Sequence, residues 1–214
     1  MDDKKLMKTG TTTVGLVAKD AIVLAADKRA TAGNFIADKK TEKIVKINDY
    51  LALTTAGSVS DIQMITKLIR AELALKDIRT DREASVKEAS NLLAGIVYGN
   101  IRRLSMIPSV VHFLIAGKDD SGNYIFDIYP DGSVTKIEKF VASGSGSMFA
   151  YGIFEAQYNK DISQDQAVEL AVKAVNSAMQ RDSASGDGID VAVVSSQGVK
   201  KLMTKQVEKT LKNS

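Results

Sequence analysis

Hydrophobic residues in this 214-residue chain switch between two periods, and they do so twice in the same order. Short β-branched runs come first: Thr12–Ala18 and Ala21–Ala26 across Lys19-Asp20, then Lys43–Ile47 and Leu51–Ala56 across Asn48-Asp49. The period then lengthens. Ile62, Ile65, Ile69 and Leu73 recur at spacings of 3, 4 and 4, with Ser58-x-x-Asp61 ahead of them as an N-cap arrangement. A second helical stretch runs from about Glu83 to Arg103, carrying Ala89, Leu92, Leu93, Ile96 and Val97 on one side. Strands return at Val110–Ala116, Asn123–Tyr129, Val134–Ile137 and Phe140–Ala142, with Tyr129-Pro130-Asp131-Gly132 as a turn. Two more helices follow, over about Met148–Tyr158 and from the capping box Ser163-x-x-Gln166 onward through Ala167, Leu170, Ala171, Ala174, Val175 and Ala178. Ile189–Ser195 is a last strong strand, and the segment after Thr204 reads as a charged terminal helix.

Helices in successive pairs, with strands before and after, argue against a βαβ repeat. The order predicts an α+β protein: two antiparallel sheets, each covered by a helix pair, in one four-layer αββα body. No linker or low-complexity stretch divides the chain, so one domain is expected.

Composition narrows the chemistry. With no Cys, disulfide scaffolds, zinc knuckles and thiol nucleophiles are excluded. The single His112 lies in the apolar run VVHFLIA and reads as a core or interface histidine, and a Ser-His-Asp triad would rest on it alone. The 29 basic and 26 acidic residues are mixed along the chain, unlike the concentrated basic face of a nucleic-acid binder. The opening MDDKKLMKTG has no apolar signal core, and no apolar run reaches the roughly 20 residues of a membrane helix. A soluble intracellular protein is expected, without metal or cofactor.

Nucleophilic catalysis is then left to Ser, Thr or Lys, activated without imidazole. Thr9-Gly10-Thr11-Thr12-Thr13-Val14-Gly15 places a glycine directly before a threonine that starts a strand. If the Gly10–Thr11 bond is cut, Thr11 carries both a hydroxyl and an α-amine, whose pKa of about 7.7–8.0 suits a general base. The alternative is an ordinary strand start. Asp27 ends the second strand and Lys43 begins the third. They could converge on Thr11, Lys43 as a charge and Asp27 aiming it, or form a surface salt bridge. Gly57, in Ala56-Gly57-Ser58, could offer an oxyanion donor or simply a strand-to-helix turn. Ser143-Gly144-Ser145-Gly146-Ser147 reads as a capping turn or a backbone nest. Arg181–Asp190 is dense enough in polar side chains for a hydrogen-bonded network, and Asp187 and Asp190 could also bind a cation, without EF-hand spacing.

Taken together, GTTTVG, GSGS and RDSASG in this strand–helix order resemble the proteasome β subunits of the archaeal type, over Thr9 to about Val194. The resemblance implies the N-terminal nucleophile hydrolase fold, autocatalytic removal of residues 1–10, and a catalytic domain over 11–214. It further implies a threonine endopeptidase inside stacked heptameric rings in the cytoplasm. The implied partners are α subunits, other β subunits, an ATPase regulatory ring acting through the α ring, and unfolded polypeptide. Thr11 matches the family nucleophile, Asp27 and Lys43 its charged partners, and Gly57 its oxyanion donor. Ser145, Asp182 and Ser185 match the network around the threonine amine, and Arg29 matches a structural arginine. Thr31 matches a backbone position that pairs with substrate, and Ala30, Val45, Thr55 and Val59 the pocket for the residue before the cut, with Thr55 at its floor. A bacterial peptidase that partners a chaperone ATPase ring is similar, but it is generally shorter and lacks RDSASG. Two other readings are a noncatalytic ring subunit that keeps its leader and a small-molecule amidase of the same fold.

Overall fold

Strand alternation sorts the apolar residues of this protein into three separate cores. The structure is a computed structural model, and it describes residues 10–106 and 108–206. One sheet contains β1 (Thr13–Val17), β2 (Ala21–Asp27), β10 (Phe140–Ser143), β11 (Gly188–Ser195) and β12 (Gly198–Gln206), in the order β10-β1-β2-β11-β12. The second contains β5 (Ile44–Lys46), β6 (Leu51–Gly57), β7 (Val111–Asp119), β8 (Gly122–Ile128) and β9 (Val134–Ile137), in chain order. Every pairing in both is antiparallel. The hairpin β3 (Ala30–Ala32) and β4 (Phe35–Asp38) stands apart.

Because side chains alternate along a strand, each sheet has two apolar faces. Val14 and Leu16 of β1, with Val23 and Ala25 of β2, pack against Phe154 of α3 (Ser147–Gln157) and Leu170, Ala174 and Val175 of α4 (Gln164–Arg181). Leu51, Leu53, Phe113 and Ile115 pack against Ile65, Ile69 and Leu73 of α1 (Val59–Thr80) and Leu93 and Val97 of α2 (Val86–Ile101). The intervening positions form the third core: Ile22, Leu24, Ala26 and Val141 from one sheet meet Ala52, Leu114, Ala116 and Ile125 from the other. Each such Leu, Ile or Phe contributes about 1.5–3 kcal/mol by leaving water.

The helix ends follow local chemistry. Ser163 accepts from Gln166 N while Gln166 returns a bond to Ser163 N, as the capping box predicts. Ser85 and Glu88 form a second capping box, which starts α2 at Val86 rather than near Glu83. Ser58 holds the N-cap backbone position of α1 but makes no side-chain cap bond; its hydroxyl pairs with Ser60 instead.

Three strands, β3, β4 and β12, fall outside the sequence expectation. The β3–β4 hairpin turns at Gly33, whose φ of 63° marks a tight turn. The stretch expected to enter a terminal helix after Thr204 is the end of β12, while residues 207–214 lie outside the described residues. β12 carries Lys200 and Lys201, and charge of that kind is a common guard on an outer strand. No helix of the described residues is long and apolar enough to cross a membrane.

Candidate active site

The site gathers at one end of β1 and β2, where the strand ladder gives way to side-chain hydrogen bonds. Asp27 closes β2 and is fully buried. Its Oδ1 accepts from Lys43 Nζ at 2.6 Å and from Thr12 N at 2.9 Å; its Oδ2 accepts from Gly186 N at 2.9 Å and Arg29 N at 3.0 Å. Four donors hold one carboxylate in place, which is what a buried charge requires.

Lys43 stands just ahead of β5, its carbonyl bonded by Thr55 N at 2.9 Å. Its side chain is 4% exposed, so the Lys43–Asp27 pair is interior and not the surface salt bridge that the spacing also allowed. Burial pushes the Lys43 ammonium below its ordinary range, and the Asp27 charge and hydrogen bond oppose that push.

Thr11 sits beside this pair, nearly buried, with its N–H 3.3 Å from Ser145 Oγ. Ser145 in turn donates to Asp182 Oδ2 at 2.6 Å, as does Ser185. The predicted residues Ser145, Asp182 and Ser185 are therefore joined in one network that ends on the Thr11 nitrogen. Thr12, just ahead of β1, enters it with its hydroxyl 2.7 Å from that of Ser185. Sequence reading did not single out Thr12. The signal was available in strand alternation, which turns Thr12 away from Thr11 and Thr13.

The backbone around Thr11 is packed to glycine dimensions. Gly10 N donates to Thr31 Oγ1 at 2.9 Å, and a Cβ on Gly10 would lie 1.8 Å from Ala184 Cβ. Gly144, at φ 91°, approaches so closely that its Cβ would lie 2.0 Å from the Thr11 carbonyl oxygen. A side chain at Gly10 would displace Ala184, and one at Gly144 would displace Thr11 itself.

The dense Arg181–Asp190 connection is a network, as its composition predicts, and it leaves no carboxylates for a cation. Asp187 is taken by Arg29, at 2.7 Å through Nε, and Asp190 by Lys28 at 2.9 Å. The Asp187 hydrogen bond pushes the Arg29 guanidinium further up, and Arg29 also donates to Ser183 O at 2.8 Å. Among the described residues no group of His, Asp and Glu could hold a metal ion.

A small cleft of about 40 Å³ brings Thr11 and Lys43 together with Ala30, Thr31, Thr55, Gly57 and Val59. Its lining adds Gly10, Thr41, Ala56 and Ile62 to the residues expected from the sequence. Val45 is not part of that lining. It lies one same-face step beyond Lys43, about 7 Å further along the chain. Thr55 is a buried lining residue, but its hydroxyl lies 3.3 Å from the Lys43 carbonyl as a donor. Lys43 puts a charge in the cleft wall that the expected pocket set lacked, although Asp27 partners it.

Comparison with known proteins agrees with the motifs. A family model described as "Proteasome subunit" matches residues 7–194. A "Proteasome subunit beta" of Ferroglobus placidus is 47% identical over 202 residues, covering 94% of each chain. One from Archaeoglobus fulgidus is 44% identical over 211 residues, 99% of this chain and 97% of its own. One from Methanohalophilus mahii is 44% identical over 213 residues, 100% of this chain and 99% of its own.

Proposed function

This chain belongs to the proteasome subunit family, and from that premise we propose that it is a catalytic β subunit: a threonine endopeptidase of the core particle. The observation that carries the reading is a shared cleft. Thr11 and Lys43 line the same opening, and the Thr11 nitrogen already rests on the Ser145–Asp182 network. The two sheets between helix pairs fit the four-layer αββα sandwich of N-terminal nucleophile hydrolases.

In this reading residues 1–10 are a leader. The Thr11 hydroxyl attacks the Gly10 carbonyl, the Gly10–Thr11 C–N bond breaks as the hydroxyl proton passes to the Thr11 nitrogen, and water hydrolyses the resulting ester, which releases residues 1–10 and leaves Thr11 with a free hydroxyl and a free α-amine beside Ser145. In each later turnover that amine takes the hydroxyl proton while Oγ1 bonds to the substrate carbonyl carbon. The tetrahedral oxyanion is held by the Gly57 N–H, and the Lys43 charge favours the negative oxygen as it forms. Collapse breaks the peptide C–N bond, and the leaving amine takes the proton. Water, deprotonated by the same amine, then hydrolyses the Thr11 ester. Asp27 keeps Lys43 aimed, and Ser145, Asp182 and Ser185 orient the amine.

Substrate backbone runs along β3, which has β4 on one edge and presents Ala30 and Thr31 to the cleft. The assembly consists of heptameric β rings stacked with α rings, fed with unfolded polypeptide by a cytoplasmic ATPase ring. The test is intact mass after co-assembly with α subunits. Loss of residues 1–10, leaving Thr11 first, is expected. An assembled, peptide-cleaving particle that retains them would make this a structural subunit and give the activity to another chain.

A further inference from the structure

The apolar layer between the sheets is interrupted by a second polar chain. His112 lies on β7 between Val111 and Phe113, which face the helices, so its imidazole points toward the other sheet. Nε2 is 2.5 Å from Asp127 Oδ1 on β8, and Nδ1 is 2.7 Å from Ser143 Oγ on β10. Asp127 and Ser143 are 2% and 3% exposed. Tyr129, just past β8, lies with its ring 4.9 Å from the imidazole, and across β6 the facing residue is apolar Ala56. A carboxylate only accepts, so Nε2 carries a proton, and in the neutral ring Nδ1 receives the proton of the Ser143 hydroxyl. The imidazole thereby bonds both sheets, to Asp127 on its own and to Ser143 on the other.

The constellation has the members of a hydrolytic triad without its access. Ser143 is buried and does not line the cleft beside Thr11, so no acyl group can reach its oxygen. Its position has another consequence. Ser143 ends β10, a four-residue strand at the end of its sheet, and pairs with Thr13, two residues from Thr11. The turn that touches Thr11 follows at once. Gly144 packs on the Thr11 carbonyl, Ser145 Oγ accepts from the Thr11 nitrogen at 3.3 Å, and Gly146 N is 3.4 Å from the Thr11 carbonyl oxygen.

We infer that Asp127, His112 and Ser143 are positioning residues for the Thr11 site: the chain pins the start of the 143–146 turn to the second sheet, and so sets how the Thr11 nitrogen meets Ser145. This rests on Thr11 being the nucleophile. Gly57, at the end of β6, and Lys43, just ahead of β5, come to the cleft from the side of the second sheet, and Thr11 comes from just ahead of β1 in the first. A tie between the sheets close to Thr11 keeps those groups in one frame.

The experiment compares assembled particles of the wild type, Ser143→Ala, His112→Phe and His112→Gln, with Thr11→Ala as the control, on a fluorogenic peptide ending in Leu. Turnover is expressed per particle of verified mass. Ser143→Ala and His112→Phe are expected to lower kcat about tenfold or more, with KM within about twofold, because small misplacements of reacting groups cost up to about a hundredfold. Scission at Gly10–Thr11 should slow in parallel. His112→Gln, whose amide keeps a donor for Asp127, should fall between His112→Phe and the wild type. Unchanged kcat in Ser143→Ala particles, with Thr11 dependence intact, overturns the positioning role. So does a loss confined to melting temperature or assembly yield, or His112→Gln no better than His112→Phe. Cleavage that survives Thr11→Ala overturns the functional reading itself.

Discussion

Two buried clusters in this molecule bring together hydroxyl, carboxylate and basic groups, and they differ in what surrounds them. Asp27, Lys43 and Thr11 meet at the mouth of a cleft, with Lys43 and Thr11 in its wall. Asp127, His112 and Ser143 meet between the sheets, where Ser143 is buried at the end of β10. Both carry a carboxylate-to-base contact of 2.5–2.6 Å. Proximity of these groups is therefore not what separates a reactive site from a structural tie. Access and an oxyanion donor separate them, and only the Thr11 cluster shares a cleft with a candidate donor, Gly57.

The comparison breaks first at Thr11. Thr11→Ala should abolish peptide cleavage and leave residues 1–10 attached, read by turnover and intact mass; Thr11→Ser should retain part of both. Normal processing of Thr11→Ala would move the nucleophile elsewhere. Next is Lys43. Removing one preorganised charge costs about 2.7–4 kcal/mol, so Lys43→Ala should lose about 10²–10³ in kcat in processed particles. Asp27 keeps its three backbone donors, so folding should survive. Lys43→Arg should fail too, because a planar fork does not replace a compact ammonium. Near-normal turnover in Lys43→Ala would reduce this pair to a structural tie like the other.

Substrate choice sharpens the contrast at a smaller scale. The cleft wall is Ala30, Thr55, Val59 and Ile62, with its one charge already partnered. Cleavage after Leu, Tyr or Phe should exceed cleavage after Arg or Glu by about 10–200-fold, from about 1–3 kcal/mol of fit and uncompensated loss of hydration by the charged side chains. A peptide panel that favours Arg or Glu would show that another surface reads the substrate. The smallest effect lies outside both clusters. Ser163→Ala removes the cap of α4 and should lower stability by about 1 kcal/mol, read by thermal melting, with turnover per particle unchanged.

How much was legible in the sequence varied with how local the cause was. The alternation of Val14, Leu16 and Val23 and the helical spacing of Ile65, Ile69 and Leu73 reappear as core faces. The Ser163–Gln166 box closes as written, whereas Ser58, with the same kind of signal, spends its hydroxyl on Ser60. β12 escaped because lysines on an outer strand mask the period-two pattern. Within the candidate site, Thr11, Gly57 and Ser145 stood out by motif. Gly186 and Thr12 did not, since one contributes only a backbone N–H and the other an ordinary-looking threonine.

The alternation of strand groups with helix pairs, the lack of thiols and the glycine next to Thr11 were determined by the sequence alone, because each depends on residue type and near-neighbour spacing. Whether Asp27 and Lys43 would be a surface pair or a buried one was decided only when β2 and β5 came together across 16 residues, with Lys43 4% exposed and Asp27 fully enclosed. His112 looked like any histidine in an apolar strand until the stacking of two sheets put Asp127 on one of its nitrogens and Ser143 on the other. Strand register and layer contact are set by the summed burial of many distant side chains, and no local stretch of sequence contains that sum.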